Sequence, residues 1–331
     1  MIYLGHLPTR DPLYDYLRFD ILPQLGVSGT VPDFRVYQLQ ASNRVFLYKD
    51  RRSSTRVIGK YFASADRPAE IACYRMEREF QNLFHLRSLG FVGCPHYVAR
   101  PLGRNGYLSC LLVVEYCHGT SLNDVIVKAI QERARDLLFQ KLAALAYFLA
   151  TLHNRTGKGV PVDFGRESTY FEEINQQLRG WGHIGWEESQ NLRELRDRWR
   201  DRACMWEDQQ VLVHGDLTPT NILFGDSHCV IALDLERMKA TDRVFDLGRV
   251  AAEIKHFFLL YTGNGGAAEP FIGHFLWEYA THFPDRQTAF AAVTRRLPFY
   301  MALTEIRIAR NSWITDRHRR RLLEEAKKTL R

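Results

Sequence analysis

Residues 211–224 read Val-Leu-Val-His-Gly-Asp-Leu-Thr-Pro-Thr-Asn-Ile-Leu-Phe, which sets His214, Asp216 and Asn221 between two apolar runs. A second apolar run, residues 229–233, ends in Asp234-Leu235-Glu236. Gly225-Asp226-Ser227-His228 between the runs has turn composition, so residues 222–224 and 229–233 are expected to form a β-hairpin. A hairpin gathers its open ends, where Asn221 enters and Asp234 leaves. In a register that sets Asn221 opposite Ala232, Asp234 is the diagonal neighbour on the same face. Two oxygen donors at that separation suit a hard cation such as Mg²⁺ held on nucleotide phosphates. Asp216, just upstream, is a carboxylate within reach of the same point. Transfer of a phosphoryl group asks for little else: metal ions, one cation on the phosphates, and a carboxylate that orients or deprotonates the acceptor. Taken singly, Asp216 and Asn221 read as turn residues and Asp234 as a strand-end cap. The joint pattern is what points to chemistry.

The phosphate-binding cation must come from another element. Residues 56–62 read as a strand carrying Lys60 in a Val-x-x-Lys context, although strand lysines are commonly solvated edge residues. Residues 69–89 read as a helix, with Ala72, Met76, Phe80 and Leu83 at spacings of 3 and 4 and Gly90 as the stop. Glu77 and Glu79 border that apolar stripe on opposite sides, and periodicity does not choose which one pairs with Lys60. Residues 34–40, 44–48 and 111–116 are further expected strands. After Gly119 the chain turns mainly helical, with Leu138, Leu142, Leu145, Leu149 and Leu152 forming one packing stripe. The expected architecture is α+β and two-lobed. A Pro- and aromatic-rich extension (1–33) precedes a small β-rich lobe (34–117), and a larger, mainly helical lobe follows (118–331).

The composition sets outer bounds. With 331 residues, 46% hydrophobic and 25% charged, the chain is globular rather than disordered. A net charge of +7 suits anionic ligands, while being ordinary for a soluble protein. The six cysteines show no CxxC pair and no zinc spacing, so they are read as free thiols in a reducing, cytoplasmic setting. No signal-peptide pattern and no 18-residue apolar run occur, so no membrane span is expected. Gly263-Asn264-Gly265-Gly266 lacks a following Gly-Lys-Ser/Thr and reads as a connection. Arg317, Arg319, Arg320 and Arg321 read as a solvated helix end, with no nucleic-acid partner expected. Trp181, Trp186, Trp199 and Trp206 are read as core packing, with lining of an acceptor site implied only by the family resemblance given below.

His214, Asp216, Leu217 and Asn221 fall on the H, D, L and N of the protein-kinase catalytic loop, and Val57-Ile58-Gly59-Lys60 sits close to its V-A-I-K strand. Gly215 in place of the loop arginine, and Asp234-Leu235-Glu236 in place of D-F-G, point to a different branch. With these motifs the chain resembles the aminoglycoside phosphotransferase and choline kinase family, small-molecule kinases of protein-kinase-like fold. That family's loop is typically H-G-D-x-x-x-x-N and its metal motif D-x-[DE]. The resemblance runs from about Ser42 to Gly248. Ser42-Asn43-Arg44-Val45-Phe46 is similar to the family's S-N-x-V-[FY] segment. Arg78-Glu79-Phe80 is similar to its R-E-[AYF] helix start, which favours Glu79 over Glu77. Residues 113–116 look like the hinge, Leu152-His153 like the end of the long helix, and Asp246-Leu247-Gly248 like a D-L-A motif whose Asp braces the catalytic loop.

The resemblance implies Asp216 as catalytic base, Asn221, Asp234 and Glu236 as Mg²⁺ ligands, and Lys60, paired with Glu79, on the phosphates. It also implies Ser42 and Asn43 over the nucleotide and Glu115 and Cys117 at the hinge that holds the base. The implied donor is ATP or GTP with Mg²⁺, and the implied partner is a small molecule with an acceptor hydroxyl or amine. Two departures stand out. Gln40-Ala41-Ser42 occupies a segment where glycines are usual, and Gly248 replaces Ala, read as a minor change. A protein kinase and a non-catalytic nucleotide-binding module are the alternatives. Gly215 and the missing D-F-G and A-P-E weigh against the first, and the retained polar positions against the second.

Overall fold

The computed structural model describes residues 1–39, 44–226 and 228–331. The chain divides into two compact units, Met1–Gly119 with Ile231–Arg237, and Thr120–Val230 with Met238–Arg331.

The first unit contains β1 (Ile2–His6), α1 (Pro12–Tyr16), β2 (Phe34–Gln38), β3 (Arg44–Asp50), β4 (Arg56–Tyr61) and α2 (Ala69–Ser88). A short hairpin, β5 (Val92–Gly93) with β6 (His96–Val98), then leads to β7 (Pro101–Asn105) and β8 (Leu111–Glu115). Six strands make one antiparallel sheet in the order β1-β2-β3-β4-β8-β7. Strand alternation sends Val57, Gly59 and Tyr61 of β4 to one face and Lys60 to the other. On the first face Gly59 makes room for Tyr48: a Cβ there would lie 2.8 Å from the Tyr48 ring.

That same face buries Leu13, Tyr14, Leu17, Ile21 and Leu22 against Phe34, Tyr48, Val57, Leu102, Leu111 and Val113. Residues 1–33 are therefore not an appended extension but part of this unit, with β1 as an edge strand. Leu13, Leu17 and Ile21 are spaced by four, a helical stripe that the surrounding prolines disguise. The cysteine reading is also corrected. Cys73 of α2 and Cys110, just before β8, form a disulfide with Cα atoms 5.1 Å apart despite a sequence separation of 37. Linear spacing carries no sign of that closeness, and the free-thiol ground for a reducing location falls away. Cys117 and Cys204 are free. Among the described residues, no helix is long and apolar enough to cross a membrane.

The second unit opens with β9 (Thr120–Ser121) and runs through α3 (Leu122–Gln131), α4 (Arg135–Arg155), α5 (Phe164–Gly180) and α6 (Trp186–Arg200). The strands β10 (Val211–Val213), β11 (Ile222–Phe224) and β13 (Lys239–Thr241) follow, while β12 (Val230–Ala232) has Val230 in this unit and Ile231 and Ala232 in the first. Then come α7 (Val244–Thr262), α8 (Glu269–Ala280), α9 (Arg286–Thr294), α10 (Leu297–Ala309) and α11 (Asp316–Leu330). β10 pairs antiparallel with β13, and β11 with β9. The chain reverses after β11 at the expected turn, where Gly225 N donates to Cys229 O at 3.0 Å.

Helix α7 is buried from Val244 to His256 without a break, as expected of a helix apolar on most of its circumference. Its close neighbour is α10, and Gly248 is the contact point. A Cβ on Gly248 would lie 2.4 Å from Tyr300 Cβ and 3.0 Å from the Tyr300 carbonyl carbon. The glycine is thus a packing requirement rather than a minor change. Gly248→Ala is expected to destabilise the protein by about 1–3 kcal/mol through overpacking, outweighing a helix-propensity gain of about 1 kcal/mol. Urea denaturation checks it, and an unchanged or raised midpoint would contradict the close approach.

His256 of α7 and His318 of α11 touch through Nδ1 and Nε2 at 3.0 Å, both buried. Burial, then the neighbouring His318 and Arg307, push His256 down to about 4. Burial and Arg321 lower His318 as well. The unfolded chain titrates histidine near pH ~6.5, so between that pH and about 4 it binds more protons than the folded state. Stability is then complete above the unfolded value and falls as pH drops through that window. His256 alone is expected to contribute on the order of 2–3 kcal/mol of this loss. Thermal melts from pH 7 to 4.5 should slope less in His256→Gln than in the natural chain; parallel slopes would exclude His256 as the source.

Candidate active site

In the first unit, Lys60 leaves β4 on the face covered by α2, which packs along β7 and β8. Its side chain is 9% exposed. Lys60 Nζ donates to Glu79 Oε2 and to Asp234 Oδ1, each at 2.6 Å, and lies 3.8 Å from Glu236 Oε2. Of the two carboxylates that periodicity left open, Glu79 is the partner. Glu77 pairs with Arg104 at 2.7 Å instead.

Arg75, one turn before Glu79, donates to Glu236 Oε1 at 2.8 Å, and Asn82 donates to Leu235 O at 2.7 Å. Arg75, Glu79 and Asn82 recur at helical spacing on one face, so α2 holds the 234–236 segment directly through Arg75 and Asn82 and, by way of Lys60, through Glu79. Sequence reading missed Arg75 and Asn82, although their spacing from Glu79 was the available signal. Carboxylate oxygens of Glu79, Asp234 and Glu236 lie within 4.8 Å of one another. Burial opposes the Lys60 charge, but Glu79, Asp234 and Glu236 outweigh it and hold the ammonium above its ordinary pKa. Burial pushes Glu79 up, with Lys60 pulling the other way. Asp234 has φ of 59°, a left-handed conformation that costs an L-residue about 1–2 kcal/mol; such strain tends to gather at functional positions.

In the second unit, β10 delivers the chain into the His214–Thr218 loop. Gly215 has φ of 79°, which glycine adopts without penalty; the arginine expected of a protein kinase at this position would be strained. Asp246, in the first turn of α7, is fully buried and accepts from His214 N at 2.6 Å and Gly215 N at 3.1 Å. Burial would raise the Asp246 pKa, but His153, His214 and the backbone donors hold it below the ordinary carboxylate value. His153 Nε2 lies 3.9 Å from Asp246, and its Nδ1 meets Tyr279 Oη at 2.9 Å.

Asn221 closes a 3₁₀ turn, Pro219–Asn221, rather than starting a strand. Its amide donates to Asp216 O at 2.9 Å, and Thr218 N donates to the same oxygen at 2.8 Å. The Asp216 carboxylate receives Arg249 Nη1 on Oδ1 at 2.7 Å. Arg307 Nη1 stands 3.7 Å from that oxygen. Neither arginine was singled out from the sequence.

Glu115 Oε1 accepts from Tyr97 Oη and Arg100 N, both at 2.5 Å, which ties the 97–100 segment to the end of β8. Cys117 is half-buried, and burial pushes its thiol up to about 12. Ser42 and Asn43, with Gln40 and Ala41, lie outside the described residues. Trp199 is buried, with its indole N–H on Leu330 O, whereas Trp181 and Trp186 are exposed. Arg319 is buried and donates to the carbonyls of Ala309, Asn311 and Ile314, so it caps the α10–α11 connection rather than joining a solvated basic run.

Residues 33–269 match the family model described as the phosphotransferase enzyme family. The chain belongs to that family. This phosphotransferase-family chain is 25% identical over 189 residues to an aminoglycoside 3'-phosphotransferase of Streptomyces fradiae, a match covering 54% of the chain and 64% of that relative. Among solved structures it resembles a choline kinase from Cryptosporidium parvum, with a TM-score of 0.65, 12% identity, and 96% and 94% of the two chains covered. An ADP-bound aminoglycoside phosphotransferase gives 0.57 at 11% identity over 97% and 99%. A macrolide 2'-phosphotransferase gives 0.55 at 17% identity over 99% of each chain. These likenesses place the phosphotransferase-family chain in the kinase-like fold, a β-rich part followed by a mainly helical one.

Proposed function

We propose that this chain transfers the γ-phosphoryl group of ATP or GTP, with Mg²⁺, to a hydroxyl or amine of a small molecule. The observation that carries the reading is the buried Lys60 ammonium, bonded at once to Glu79 and to Asp234 of the D-x-E motif. The carboxylates of Glu79, Asp234 and Glu236 form an all-oxygen donor set, which suits a hard divalent ion. Asp234 and Glu236, with the amide oxygen of Asn221, would hold the ion. When bound, Mg²⁺ neutralises charge on the phosphate oxygens. Lys60 binds the non-transferred phosphates, with Glu79 keeping its ammonium in place. The backbone at Glu115 and Cys117 holds the nucleotide base.

Asp216 accepts the proton of the acceptor as the acceptor atom bonds to the γ-phosphorus. The bond from that phosphorus to the bridging oxygen breaks, and the nucleoside diphosphate leaves. The aminoglycosides, macrolides, choline and ethanolamine named for similar proteins form the first acceptor panel. The test follows acceptor-dependent nucleotide turnover in the natural chain and in Asp216→Ala, with phosphorylated products identified by mass. Turnover equal in both proteins rules out Asp216 as the base. Mg·ATP binding without turnover on any acceptor supports the non-catalytic module, and label found only on protein supports a protein kinase.

A further inference from the structure

Arg249 stands three positions after Asp246 on α7, so one helical turn brings both to the face that meets residues 214–216. Their tasks are complementary. Asp246 accepts the backbone N–H groups of His214 and Gly215, while Arg249 Nη1 donates to Gly215 O at 3.1 Å and to Asp216 Oδ1 at 2.7 Å. Arg249 is 2% exposed. A buried guanidinium is expensive to desolvate and is a poor choice for packing alone, and here burial and the nearby Arg307 both work against its charge.

Arg307, on α10, donates to Glu253 Oε1 at 2.9 Å while its Nη1 stands 3.7 Å from Asp216 Oδ1. Glu253 is one turn beyond Arg249 on the same helix face. Two helices thus bring two guanidinium groups to one oxygen of a single carboxylate. An unrestrained Asp side chain samples several χ1 rotamers, and a misplacement of roughly 1 Å in a reacting group can cost about 100-fold in rate.

We propose that Arg249 is a positioning residue for phosphoryl transfer: by holding Asp216 Oδ1 it fixes the rotamer of the base, with Arg307 and Glu253 bracing the arrangement. This rests on the reading of Asp216 as the base. Arg249 touches no reacting atom in this scheme and acts only through Asp216. Both bonds come from one nitrogen, Nη1, whose direction the planar guanidinium fixes; a lysine keeps the charge but ends in a compact, freely rotating ammonium.

The test compares the natural full-length chain, Arg249→Lys, Arg249→Ala and Asp216→Asn on whichever panel acceptor gives turnover. Thermal midpoints and Mg·ATP affinity are measured alongside. Arg249→Lys is expected to lower kcat about 10-fold to 100-fold, with the nucleotide KM unchanged within about twofold. Added guanidinium ion, at millimolar concentration, should restore part of the rate in Arg249→Ala and none in Asp216→Asn. Arg249→Lys remains informative if Arg249→Ala does not fold. A kcat in Arg249→Lys within twofold of the natural chain, with Asp216→Asn inactive, overturns the role of Arg249 and leaves the base intact. A loss in Arg249→Lys that vanishes on cooling below its lowered melting point also overturns it, as a fold effect only. Equal turnover in Asp216→Asn and the natural chain would instead sink the base assignment on which the inference rests.

Discussion

Asp216→Asn should lower kcat by about 100-fold to 10,000-fold, the range for removing a positioned general base, while Mg·ATP affinity stays unchanged within about twofold. The substitution keeps the shape and the hydrogen bond to Arg249 but cannot accept the acceptor's proton. It also leaves Arg249 without its carboxylate. That loss is moderated because the Asp216 side chain is 19% exposed and Glu253 stays near both guanidinium groups. A small fall in thermal midpoint is therefore expected beside a large fall in rate, and the two separate cleanly. Steady-state turnover with a saturating acceptor, together with calorimetric nucleotide titration, checks both. A variant with undiminished kcat would remove Asp216 from the chemistry.

Lys60→Met has the second large expected effect, on stability as well as activity. It leaves carboxylate oxygens of Glu79, Asp234 and Glu236 within 4.8 Å of one another, with Arg75 and Arg237 both held at Glu236. Removing one partner from a buried ion network costs about 3–5 kcal/mol, and the phosphate-binding charge goes with it. Glu79→Gln alone should be milder. The double variant should recover part of the Lys60→Met loss, because one uncompensated carboxylate is gone. Chemical denaturation of the four proteins measures that coupling. Strictly additive losses would mean that Lys60 and Glu79 do not act as a pair.

Local patterns carried much of the candidate site into view. Lys60 could be read from its strand context, whereas periodicity left Glu77 and Glu79 open and only the family resemblance favoured Glu79. Asp216, Asn221 and Asp234 are fixed by spacing within one short stretch. The reversal after β11 was expected from the composition of residues 225–228. Asn221 differs in detail: it ends a 3₁₀ turn because Pro219 and the Asp216 carbonyl capture it before the strand begins.

What stayed hidden depends on elements that meet only after folding. Arg307 reaches Asp216 because α10 packs on α7, and Gly248 is demanded by the same approach. Cys73 and Cys110 meet where α2 lies along β7 and β8. Helix and strand periods say which face of an element is apolar, not which distant element will cover it. The segment from Leu13 to Leu22 is obscured for a different reason. Its apolar spacing is helical, but its proline and aromatic content is that of an irregular segment.

The main chain at Asp234 limits how the motif can be interrogated. A position wound in the left-handed sense admits Asn or Gly readily and β-branched side chains poorly. Asp234→Asn therefore removes one negative charge with the backbone left as it is. Asp234→Val would bend the peptide as well, and its phenotype would confound lost ligation with a displaced Glu236.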